Sequence, residues 1–141
     1  VIGNAAREIN LPLTIQCERE VNISRMLPDA LQITEMPGSR PENRILVLNG
    51  PLVLTTMFEF QAMVRADKSQ TLVIDFTRVP YADSAGVGAL VGAYVTRQHS
   101  TRRLALAGVC DRVRDALKVT RVEQFFQFYD SILAAEQGTA A

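Results

Sequence analysis

At 141 residues the chain has room for one domain and a single core, and its 48% hydrophobic content is enough to fill that core. No stretch approaches the ~20 apolar residues of a membrane helix, so no membrane partner is expected. Fifteen basic and fifteen acidic residues cancel, which is poor design for a phosphate-backbone binder, so direct nucleic-acid binding is disfavoured. Val1 to Ala6 is neither basic nor followed by a long apolar core, so no secretory signal is visible and a cytoplasmic address is expected. Cys17 and Cys110 are far apart and lack metal-type spacing; they read as ordinary half-buried thiols rather than a disulfide or a ligand pair.

Taken in chain order, residues 1–27 come first and are the hardest to place. Leu13, Ile15 and Cys17 alternate with polar residues, which fits either one extra strand or a poorly ordered extension. Leu31 and Ile33 alternate as a short first strand, and Met36 to Asn43, with two prolines and a glycine, reads as a loop. Ile45 to Leu48 is a near-continuous apolar run, the pattern of a strand covered on both faces. A helix follows from Thr56, where Thr56 and Glu59 form a capping-box pair, and its apolar face is Met57, Phe60, Met63 and Val64. Leu72 to Phe76 reads as a third, buried strand.

Tyr81-Ala82-Asp83-Ser84-Ala85-Gly86-Val87-Gly88-Ala89-Leu90 comes next and is the most informative stretch. Apolar residues at Val87, Leu90, Val91, Tyr94 and Val95 have the spacing of an amphipathic helix, so Ser84 stands at a strand-to-helix junction. The first N–H groups of a helix lack internal partners and favour negative charge. Asp83 or Ser84 is therefore expected to cap this helix, and a phosphate on the hydroxyl would meet ready donors. Leu104 to Val109 makes a fourth strand, and Asp111 is expected to cap a helix carrying Val113, Ala116 and Leu117. Phe125 to Tyr129 reads as a last strand or strand-like exit, Ser131 to Glu136 as a helical turn or two, and Gly138 to Ala141 as a frayed tail. Strand–helix alternation of this kind implies an α/β fold: a mixed, mostly parallel sheet of four to five strands with crossover helices.

The chemical inventory argues against an enzyme. His99 is the only histidine, and it lies at the polar end of the Ser84 helix, facing solvent. Ala82 stands where an esterase nucleophile elbow needs glycine, and a triad would require His99 at the wrong end of the same helix. Asp75 and Asp83 lack further ligands at sensible spacing for a metal. Gly86, Gly88 and Gly92 suit close helix packing better than phosphate cradling, so no cofactor is expected. Arg97, Arg102 and Arg103 read as a solvated helix end, where basic residues complement the dipole.

Asp75-Phe76 with Val79, then Asp83 to Leu90, resembles the central signature of the STAS domain, found in anti-sigma factor antagonists and sulfate-transporter tails. Arg44 to Gly50 resembles the family's second strand and turn glycine, Leu104 to Val109 its fourth strand, and Val113 to Phe126 the following helix and exit. The likeness runs from about Leu31 to Glu136. It divides the chain into an N-terminal extension (1–27), one STAS-type domain (28–138) and a tail (139–141). Met26 lies just before the domain, and a native start there is an expectation that peptides from Ile9–Arg19 in the native protein would rule out.

In the antagonist branch, the serine matched by Ser84 is phosphorylated by a kinase that doubles as the anti-sigma factor. The resemblance thus implies a partner switch: unphosphorylated, the chain binds an anti-sigma factor/serine kinase, and phosphorylation of Ser84 releases it. The implied docking surface is Asp83, Ser84, Ala85, Gly86, Val87 and Gly88 with Leu52, Val53 and Leu54, in a monomer or weak dimer. Gly86 and Gly88 would admit a close backbone or partner, or else pack the helix on the sheet. The chain departs from the antagonist pattern twice. Val53, in an apolar Pro51–Thr55 loop, stands where antagonists carry an acidic residue; that loop either forms an exposed patch for another partner or ligand, or folds inward. Arg121 replaces a glycine at a helix end, so that cap is expected to be distorted or differently built. A non-switching scaffold or ligand-binding module is the alternative function.

Overall fold

Alternation along the strands decides which side of the sheet each helix covers. The computed structural model describes residues 30–138; the expectations about a strand at Leu13 to Cys17, a start at Met26 and the 139–141 tail lie outside them. Five strands, β1 (Gln32–Pro37), β2 (Asn43–Asn49), β3 (Thr71–Arg78), β4 (Arg103–Ala107) and β5 (Phe128–Tyr129), lie side by side in that order. β1 is antiparallel to β2, and the other pairs are parallel. The connections carry α1 (Met57–Ala66), α2 (Ser84–His99) and α3 (Asp111–Val119), and the chain then closes with α4 (Ile132–Gln137). Because each parallel connection steps to the next strand in one direction, right-handed crossovers put α1 to α3 on one face.

That face buries Leu46, Leu48, Leu72, Ile74 and Leu106 of the strands against Phe60 and Val64 of α1, Leu90 and Ala93 of α2, and Val113 and Leu117 of α3. The intervening strand residues Ile45, Val73, Ala105 and Ala107 point to the other face, which α4 covers with Ala135 and Ile132. The continuous apolar run of β2 is thus covered on both sides, as its sequence implies. Ser131 caps α4 by accepting from the Ala134 N–H at 3.1 Å, and Gly138 ends it in the left-handed region at φ 67°.

Several local expectations are corrected. β1 extends through Met36 and Pro37, which pair with Ile45 and Arg44, so the loop begins only after them; proline is tolerated there because β1 is the edge strand among the described residues. Thr56 precedes α1 but makes no capping bond to it. Its hydroxyl instead donates to the Pro51 carbonyl at 2.9 Å and accepts from the Val53 N–H, while its own N–H donates to Val53, leaving Glu59 nothing to cap. Asp111 is the first residue of α3 rather than its cap, which is Cys110, and Cys110 is a half-buried free thiol. Phe125 ends a 3-10 turn, Glu123–Phe125, so the last strand is shorter than expected.

The end of α3 is regular rather than distorted. Val122 N–H donates to Leu117 and Arg121 N–H to Lys118, the paired bonds of a Schellman cap, with Arg121 itself at φ 62° in place of glycine. Arg97 is the larger correction, for it is only 2% exposed. Its guanidinium donates to Asp67 Oδ2 at 2.8 Å, to the Ser69 carbonyl at 2.8 Å and to the Arg103 carbonyl at 3.0 Å. Burial lowers its pKa, and the hydrogen bond and charge of Asp67 oppose that shift. Arg103 is also engaged, bonding the Ala135 carbonyl and the Tyr129 hydroxyl across the second face.

Candidate functional site

The N-terminal ends of α1, α2 and α3 gather at the edge of the sheet where the parallel strands finish, the side on which open α/β sheets present ligands. Asp83, not Ser84, is the cap of α2: its Oδ1 accepts from the Gly86 N–H at 2.8 Å. Ser84 is then the first helical residue and is exposed. At that position neither its N–H nor that of Ala85 has an intrahelical acceptor, so an anion on the hydroxyl would sit beside unpaired donors.

The apolar loop after β2 is tied to this helix start through its backbone. Leu52 forms a parallel bridge with Ala82; its N–H donates to Tyr81, and its carbonyl accepts from Asp83 at 3.3 Å. Asp83 Oδ2 in turn accepts from the Leu54 N–H at 3.1 Å. One carboxylate therefore serves both helix and loop. The two readings of this loop are each right for part of it: Leu52 is fully buried and Val53 nearly so, whereas Leu54 is 55% exposed.

Gly86 shows why the contact is so close. A Cβ there would lie 1.9 Å from the Leu52 carbonyl oxygen, so only glycine admits the loop. Val87, one residue on, is buried in the core. Gly88 differs: it is exposed, and a Cβ on it, or on Gly92, would meet nothing among the described residues within 4 Å. The packing role expected of all three glycines thus holds for Gly86 alone.

α3 supplies a wall the sequence did not reveal. Tyr81, Asp83, Ser84, Arg112, Asp115 and Val119 line one cleft of about 380 Å³, with the Arg112 guanidinium 5.0 Å above the Tyr81 ring. No local signature marks these α3 residues, because the crossover through β4 brings them beside α2. Val119 is 81% exposed, and Phe58 in the first turn of α1 is 62% exposed. His99 is exposed at the far end of α2, roughly 22 Å from Ser84 along a 16-residue helix. Among the described residues no group of three or more His, Cys, Asp or Glu is placed to hold a metal, and no helix is long and apolar enough to cross a membrane.

The sequence profile of the STAS domain matches residues 31–135. This chain belongs to the STAS domain family. Solved STAS structures share the fold at low identity. An anti-sigma factor antagonist from Mycobacterium paratuberculosis is 17% identical with a TM-score of 0.69, over 82% of this chain and 98% of that one. The anti-sigma factor antagonist SpoIIAA in its unphosphorylated form is 18% identical with a TM-score of 0.62, over 79% and 98%; the Bacillus protein has also been solved phosphorylated. A sulfate transporter family protein from Wolinella succinogenes is 22% identical with a TM-score of 0.63, over 68% and 83%. No curated protein sequence matches the chain.

Proposed function

We propose that this STAS protein is an anti-sigma factor antagonist working by partner switching, with Ser84 as the phosphoacceptor. The observation that carries the reading is the exposed hydroxyl of Ser84 at the first position of α2, beside donors that tolerate an anion. Unphosphorylated, the neutral α2 start, with Gly88 and Leu54 beside it, docks on an anti-sigma factor that is also a serine kinase. Phosphorylation adds nearly two negative charges at the centre of that contact. The helix end accommodates them; a partner surface shaped for a hydroxyl does not. The switch is repulsion at an interface with little refolding. The solved unphosphorylated and phosphorylated forms of SpoIIAA support this mechanism by analogy of fold.

The test is to incubate the protein with serine kinases encoded by neighbouring genes, map the modified residue and measure anti-sigma binding before and after. Modification at Ser84 with loss of binding is the expected result; unchanged binding by the Ser84-phosphorylated protein refutes the switch. A second reading, a non-switching docking module, is favoured by the exposed Leu54 and Phe58 and by the loop's lack of an acidic side chain. It predicts binding that is insensitive to phosphorylation and weakened by polar substitution of Leu54.

A further inference from the structure

Among the described residues Arg112 is the only cation that lines the cleft with Ser84, and the other charged groups there, Asp83 and Asp115, are both acidic. Arg114, on the same helix, is held by Glu123 at 2.7 Å, whereas Arg112 forms no ion pair among the described residues. It is exposed and rests over Tyr81, a contact that leaves all its N–H donors available. We propose that Arg112 is the positioning residue that receives a phosphate carried by Ser84, leaving the Tyr81 ring to do so. The proposal rests on Ser84 being the phosphoacceptor and adds how the modified state is held.

The physical argument is a comparison of partners. A guanidinium over a partly exposed aromatic face is weakly held, while a phosphate offers two oxygens to its planar fork in charge-assisted hydrogen bonds. Without Arg112, a phosphate in this cleft would face Asp83 and Asp115 with only the helix N–H groups to offset them. With it, the phosphate bridges the start of α2 to the first turn of α3, and the guanidinium leaves the Tyr81 ring. Phosphorylation would then change two features together: the charge at Ser84 and the cation stacked on Tyr81.

The experiment installs phosphoserine at position 84 by suppression of an amber codon, so it needs no kinase. The second ionisation of the phosphate is followed by ³¹P NMR across pH in the wild-type background, in Arg112→Gln and in Lys118→Gln. Lys118 is an exposed cation of α3 outside the cleft, and its loss controls for general charge. Because Arg112 favours the dianion, Arg112→Gln should raise the phosphate pKa by at least ~0.5 unit, with Lys118→Gln shifting it by less than about half as much. Tyr81 ring resonances should also shift on phosphorylation in the wild type and stay fixed in Arg112→Gln. Equal phosphate pKa values in the wild type and Arg112→Gln, or equal shifts in both variants, would overturn the proposal. Failure of partner switching would show separately, as undiminished anti-sigma binding by the same phosphoprotein.

Discussion

Replacing Gly86 by alanine should cost this domain far more than one methyl group ordinarily does. The new Cβ falls 1.9 Å from the Leu52 carbonyl oxygen and 2.7 Å from its carbon, and both are backbone atoms that no rotamer change can remove. To regain ordinary contact the carbonyl must retreat by about 1.5 Å, which breaks its bond from the Asp83 N–H and pulls Leu54 off the Asp83 carboxylate. Overpacking of this kind costs about 1–3 kcal/mol. Each lost hydrogen bond adds about 1 kcal/mol, and alanine's better helix propensity returns about 1 kcal/mol. The balance is a destabilisation of roughly 3 kcal/mol, on the order of 15 °C in Tm for a domain of this size. Gly88→Ala, two residues along the same helix, meets nothing and should gain about 0.5–1 kcal/mol from propensity alone. Thermal and urea unfolding by circular dichroism measure both, and hydrogen exchange at the Asp83 amide reports the loop. Should Gly86→Ala melt with the wild type, or should the two variants fall together, the close approach of loop and helix is not what fixes this glycine.

Two further substitutions test other parts of the frame. Arg121→Gly should stabilise the domain by about 0.5 kcal/mol, since it relieves a left-handed residue worth about 1 kcal/mol while conceding glycine's extra freedom in the unfolded chain; a lowered urea midpoint would mean that the arginine side chain itself supports the α3 cap. Asp67→Asn removes the counter-charge of a guanidinium that is 2% exposed, so unfolding should become easier by roughly 3 kcal/mol, with little dependence on salt; unchanged stability would show that Arg97 is not held as a buried ion.

The sequence was most readable where a local pattern has a direct physical cause. The continuous apolar run Ile45 to Leu48 announces a strand covered on both faces, and Asp83-Ser84 ahead of a 3.6-residue periodicity marks a helix start. It misled where tertiary neighbours decide the outcome. The Thr56/Glu59 pair has capping spacing, yet the turn formed by Pro51 and Val53 takes the threonine hydroxyl first. Arg97 looked like a helix-end charge because nothing local shows that Asp67 and the Ser69 and Arg103 carbonyls converge on it. Gly86 and Gly88 look alike in sequence; only the path of Leu52 tells the buried one from the open one. The cleft wall from α3 was missed for the same reason, since Arg112 and Ser84 are neighbours only through the crossover.

The Arg97 clamp has a consequence for how a signal can travel. Three hydrogen bonds from one enclosed guanidinium moor the C-terminal end of α2 to the chain after α1 and to the start of β4. Sliding or tilting that rod would strand a charge away from water, so its far tip behaves as a fixed post rather than a lever. A chemical mark placed on Ser84 would accordingly be read where it is written, by whatever molecule touches that tip, rather than transmitted through the interior to a distant surface.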